Sequence, residues 1–140
     1  MIVTTLWLME GQPAAPAAGF GDVTAGSWYE GAVNWAADKK IVTGYSGEAF
    51  GPNDNVTREQ LVVILYRYAQ FKGLDVSAGQ DTNLLSYGDV ESISAWATEA
   101  MTWACGTGVL TGNPDGTLAP KANATRAEVA TMLLRFDGLN

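Results

Sequence analysis

An all-α fold assembled from repeated helix–loop–helix units is what this sequence predicts, and three features lead to it. A single offset of 68 residues pairs Trp35 with Trp103, Thr43-Gly44 with Thr111-Gly112, Pro52 with Pro120 and Thr57-Arg58 with Thr125-Arg126. So many identities at one spacing mark an internal repeat. Within each copy, apolar residues recur every three or four positions, which is the helical period and not the alternation of a half-buried strand. Glycine- and proline-punctuated loops separate those stretches, with Gly44, Gly47, Gly51 and Pro52 in one copy and Gly112, Pro114, Gly116 and Pro120 in the other.

Taken in chain order, Leu6-Trp7 corresponds to Leu65-Tyr66, so residues 1–10 are expected to form the second helix of a partial repeat. A secretory signal peptide is the weaker alternative, because there is no basic segment ahead of the apolar run and that run is short. A Pro/Ala linker, residues 11–19, leads into a repeat over residues 20–73. Its first helix is expected from about Ser27 to Lys39, with Trp28, Ala32, Trp35 and Ala36 on one face. Its second runs from Thr57 to about Phe71, with Leu61, Ile64, Leu65 and Tyr68 as the buried stripe. After a second linker, residues 87–136 repeat the plan. Trp96, Ala97, Ala100, Met101 and Ala104 lie on the first helix; Val129, Met132, Leu133 and Phe136 form the stripe of the second, from Thr125 to Phe136. Trp35 and Trp103, at matched positions on apolar faces, are expected in the core, and Cys105 as a small buried hydrophobe.

Composition narrows the chemistry. The chain has 140 residues, 47% of them hydrophobic, which suits one compact domain over residues 1–140. Eight Lys+Arg against fifteen Asp+Glu give a net charge of −7, unsuited to a nucleic-acid surface. No apolar run reaches membrane-spanning length. With no histidine and one cysteine, His-dependent nucleophilic catalysis, His-ligated zinc and an internal disulfide are excluded. Asn113-Pro114-Asp115-Gly116 lacks calcium ligands at the first and last loop positions and reads as a turn. No metal or cofactor is expected. A glycoside hydrolase would need paired carboxylates; the repeats share only Asp22 and Asp89, far apart in the chain.

Thr57-Arg58-Glu59-Gln60 and Thr125-Arg126-Ala127-Glu128 each open an amphipathic helix, and Thr followed three residues later by Gln or Glu predicts a capping box. Capping accounts for Thr57, Gln60, Thr125 and Glu128. It leaves Arg58 and Arg126 unexplained, because a cation at a helix start opposes the dipole by up to ~1 kcal/mol. Either a bound anion or a structural ion pair with Asp22, Glu48, Asp89 or another carboxylate would compensate. Arg67 and Arg135, near helix C-termini, suit the dipole and are expected to be structural. Trp28 and Trp96, near the starts of the first helices, offer flat apolar faces for a sugar ring or a plug between helices.

The order Phe20-x-Asp22-Val23, Trp28, Ala32-Val33-x-Trp35-Ala36, Ile41-Val42-x-Gly44, Phe50-x-Pro52, Thr57-Arg58, repeated to Thr125-Arg126-Ala127-Glu128, resembles the S-layer homology (SLH) family. The resemblance implies a pseudo-threefold helical bundle with projecting loop prongs, non-catalytic and extracellular. It implies docking onto the secondary cell-wall polysaccharide of bacteria, often through a pyruvylated N-acetylmannosamine unit. Arg58 and Arg126 would then grip the acidic group, Gly44 and Gly112 would let the backbone approach it, and Trp28 and Trp96 would flank it. The alternative is a protein–protein module of a surface layer, self-associating and with non-functional grooves. Glu59-Gln60 departs from the Ala-Glu of the family tetrad, and Leu8 stands where the repeats have Arg67 and Arg135.

Overall fold

The computed structural model describes residues 2–16, 30–41, 56–77, 84, 87–112 and 115–138. Of Ile2, Val3 and Arg126 it describes the backbone alone. Five α-helices account for most of these residues, and no strand occurs among them beyond one isolated bridge between Thr57 and Asn123. The chain is therefore all-α. It divides into two compact units, residues 1–54 and 55–140, and each is described by itself.

In the first unit, α1 (Ile2–Met9) packs against α2 (Glu30–Asp38). The contact needs a residue without a side chain: a Cβ at Gly31 would lie 2.7 Å from Cζ2 of Trp7. The Trp7 indole N–H donates to the Pro13 carbonyl at 2.9 Å, which folds the linker back along α1. Ala32, Trp35 and Ala36 are buried on α2, as the helical spacing predicts, and Val33 is buried with them. The helix closes with Lys40 in the left-handed region (φ 60°), and the Ile41 amide donates to the Ala36 carbonyl at 2.8 Å. That six-to-one bond satisfies an otherwise orphaned carbonyl, and Ile41 is buried beneath it.

The second unit contains α3 (Arg58–Phe71), α4 (Thr98–Thr107) and α5 (Arg126–Asp137). An aromatic cluster ties them together. Tyr68 of α3 stacks on Phe136 of α5 with centroids 5.4 Å apart, and Trp103 of α4 meets Phe136 and Tyr66 edge-on at 6.3 and 5.5 Å. Truncating a buried aromatic of this kind costs about 3–5 kcal/mol. Burial, and after it a hydrogen bond to Glu99, pushes the Tyr66 phenol up to about 12.

Two stripes differ from expectation. On α3, Val62, Val63, Tyr66 and Ala69 are buried as well as Leu61, Leu65 and Tyr68, whereas Ile64 is half-buried. The helix is covered on more than one face, which a single amphipathic stripe does not convey. On α5, Met132 and Phe136 are buried, but Val129 and Leu133 are only half-buried and Leu134 is exposed. The first helix of this repeat also begins differently. Residues Ala95–Ala97, including Trp96, form a single 3-10 turn, and the α-helix starts at Thr98. Ser94 stands at the capping position, but its hydroxyl is committed to Glu59 at 2.8 Å and caps nothing.

Candidate functional site

Both capping boxes are formed. Thr57 Oγ1 accepts from the Gln60 amide at 3.2 Å while Gln60 Oε1 accepts from the Thr57 amide at 2.9 Å. Thr125 and Glu128 make the equivalent pair of bonds, both at 3.1 Å.

The start of α3 is knitted to the segment leading into α5. The Arg58 amide donates to Ala122, the Glu59 amide to Pro120, and the Ala124 amide to Val56. Helix-start amides normally lack partners, so this segment acts as a backbone cap. Asp89 fixes the segment from the other side, accepting from the amides of Leu118 and Ala119 at 2.8 Å each. Ala119 sits in the left-handed region at φ 49°, a conformation that residues other than glycine seldom adopt. The two bonds to Asp89 help to hold it there.

Arg58 lies inside this weave, only 6% exposed. Its Nε donates to the Leu118 carbonyl at 2.9 Å, and its Nη1 pairs with Glu128 Oε2. Burial pulls its pKa down, and the Asp89 carboxylate works against that. The cation therefore has a structural partner, of the kind the sequence left open, but the partner is Glu128. Asp22 and Glu48 lie outside the described residues, and Asp89 spends its oxygens on backbone amides. Glu128 thus has two duties: Oε1 completes the capping box of α5 and Oε2 neutralises Arg58.

Beside the pair opens a pocket of about 290 Å³. Arg58, Glu128, Thr131 and Arg135 supply its polar side chains, Thr111 and Gly112 its loop edge, and Leu110, Ala127 and Met132 its apolar wall. Arg135, expected to be structural, lies on this pocket and donates from Nη1 to Thr111 Oγ1 at 3.3 Å. Its position near a helix C-terminus gave a sufficient local reason for a cation and so hid the site.

Of the residues expected around an acidic sugar, the structure brings Arg58 and Gly112 into one pocket. Gly44 and Trp28 lie outside the described residues, as does the side chain of Arg126. Trp96 is 59% exposed and does not line the pocket. Gly112 has a reason of its own: a Cβ there would run into the ring of Tyr87. Gly112→Ala is therefore expected to displace Tyr87 and lower stability by about 1–3 kcal/mol, the usual range for overpacking; thermal unfolding checks this. Cys105 is half-buried, not buried; its burial pushes the thiol up to about 11 against the opposing influence of Arg58.

Glu59, the departure from the family tetrad, is buried at 2% exposure. It accepts from the Ser94 amide and hydroxyl at 2.9 and 2.8 Å and pairs with Lys121 at 2.7 Å. Lys121 Nζ also contacts Ser94 Oγ. Burial alone would raise the Glu59 pKa, but the bonds from Lys121 and Ser94 outweigh it and hold the carboxyl below its ordinary value. Among the described residues no cluster of His, Cys, Asp and Glu could hold a metal ion, and no helix is long and apolar enough to cross a membrane.

Paired helices repeated along the chain, each second helix opened by a capped Thr-Arg start, define a helical-repeat protein. The S-layer homology domain pattern matches residues 19–62 and 86–130, and the chain belongs to that family. It is 35% identical over 114 residues to an amylopullulanase of Thermoanaerobacterium thermosulfurigenes, covering 81% of this chain and 6% of the relative. It is 33% identical over 96 residues to a cellulosome-anchoring protein of Acetivibrio thermocellus, covering 69% of this chain and 21% of the relative. It is 29% identical over 121 residues to S-layer protein EA1 of Bacillus anthracis, covering 86% of this chain and 13% of the relative. The chain thus spans about a fifth or less of each of these relatives.

Proposed function

We propose that this chain, working as a single domain, is a non-catalytic module that holds a parent protein at the bacterial cell surface. It does so by binding an acidic, pyruvylated secondary cell-wall polysaccharide. Family membership and the names of the relatives support the anchoring part. Proteins named for an amylopullulanase, a cellulosome anchor and an S-layer share this stretch, and the enzyme-named relative has it as a small fraction of its length. Attachment is a role that fits a stretch shared by proteins of such different names.

The observation that carries the glycan part is the pocket itself. A protein of net charge −7 places two guanidinium groups and one carboxylate around a hollow lined also by hydroxyls and apolar carbons. Its volume is near the lower end of the ~300–1,000 Å³ of small-ligand clefts and suits a sugar unit bearing a negative group. Overall acidity does not oppose this, since charges are screened beyond ~8 Å at physiological ionic strength. The Arg126 start is the repeat counterpart of the Arg58 start and is proposed as a second contact, with Gly44, Trp28 and Trp96 as further sugar-facing residues.

Isothermal titration with a pyruvylated wall disaccharide tests this reading. Heat is expected with that sugar and none with a disaccharide of the peptidoglycan backbone. A second reading, a protein–protein module of a surface layer, draws on Arg58 being already paired with Glu128. It predicts oligomers in solution and no heat with the sugar.

A further inference from the structure

Resting on the glycan reading, we infer that Arg135, and not Arg58, is the residue that selects an acidic ligand, with Thr111 as its companion. Arg58 is 6% exposed, and its charge is matched by Glu128, whose carboxylate lies on the same pocket. An incoming carboxylate that reached for Arg58 would meet Glu128 beside it, and like charges at close range repel. Charge matching removes Arg58 as an attractor of anions and leaves it as the post that holds Leu118 and α5 in place.

Arg135 is differently placed. It is exposed, it lines the same pocket, and among the described residues it donates to a neutral hydroxyl, Thr111 Oγ1 at 3.3 Å. With Arg58 and Glu128 cancelling, the charge left over among the described residues lining the pocket is that of Arg135. A guanidinium carries five N–H donors in a planar fork that fits a carboxylate with two parallel bonds. Thr111 Oγ1 accepts from Arg135, so its own O–H can donate to the ligand. The pair also recurs in the sequence: Thr43 and Arg67 stand at the same offset in the preceding repeat. A purely structural arginine at a helix C-terminus needs no threonine partner on a distant loop.

The test is calorimetric titration of the full chain with a pyruvylated N-acetylmannosamine disaccharide and with its methyl ester, which keeps the sugar and removes the charge. The native chain is expected to bind the acid roughly tenfold more tightly than the ester, the value of one charge-assisted hydrogen bond. Arg135→Gln should bring the acid to the level of the ester and leave the ester unchanged, with the unfolding midpoint unaltered. Arg135→Lys should restore part of the preference, because an ammonium supplies the charge without the fork. If Arg135→Gln keeps the full preference, or the native chain binds acid and ester alike, the assignment of Arg135 falls while the glycan reading stands. If the native chain binds neither, both fall.

Discussion

Glu128→Ala is expected to destabilise the second unit by about 3 kcal/mol in denaturant unfolding. The figure follows from what the substitution leaves behind. Arg58 would remain buried with one carbonyl as partner and no counter-charge, and removing one member of a buried pair costs about 3–5 kcal/mol. Glu128 is 31% exposed, so water entering at the pocket recovers some of that cost and the lower end of the range applies. Part of the loss comes from the capping box at Thr125, where Glu128 Oε1 accepts from the backbone. Glu128→Gln separates the two contributions, since it keeps a cap acceptor and removes the charge. Replacing both members, Arg58→Met with Glu128→Gln, should recover stability relative to Glu128→Ala, because no unpaired charge is then buried. A double-mutant cycle that finds the two substitutions additive would contradict the pairing.

The second large effect is expected at Glu59. Glu59→Gln should cost about 2 kcal/mol at pH 7, in line with the ~1.5–3 kcal/mol of hydrogen bonds to a charged group. The glutamine keeps an acceptor for Ser94 but not the charge that pairs with Lys121. Because the folded-state pKa of Glu59 is depressed, the folded protein resists protonating it and the unfolded chain does not. Its contribution is therefore complete above the ordinary glutamate pKa of ~4.3 and disappears as pH falls through the lower folded value. The difference between wild type and Glu59→Gln should shrink toward zero in that acid window, and urea midpoints measured from pH 7 downward will show it. Lys121→Ala should cost under ~1 kcal/mol, since Lys121 is 59% exposed and its charge is screened.

How far the sequence could see depends on how local each cause is. The helix starts at Arg58 and Arg126 follow from the Thr-to-Gln/Glu spacing, a four-residue signal, and both capping boxes are present. Trp35 and Trp103 are legible as core because the helical period places them on apolar faces, and they are 0% and 1% exposed. The partner of Arg58 is 70 residues away and depends on how α5 is set against α3. No spacing rule reaches that far. Arg135 was hidden for the opposite reason: the C-terminal dipole gave a complete local account of a cation.

Gly112 has a structural cause that the repeat does not reveal. The repeat marks it as special, but the ring that fills its missing side chain belongs to Tyr87. Trp96 is exposed through a 3-10 turn set by Glu59 holding Ser94, a contact between distant parts of the chain. Val129 and Leu133 illustrate the remaining limit: periodicity tells which face a residue is on, not how completely that face is covered.

The most direct measurement of the central claim is co-sedimentation of the full chain with purified walls that carry the pyruvylated polymer, before and after chemical removal of the non-peptidoglycan polymer. The account predicts that the chain pellets with intact walls, stays in the supernatant with stripped ones, and is released from intact walls by the pyruvylated disaccharide. Equal pelleting with intact and stripped walls, or none with either, would contradict it.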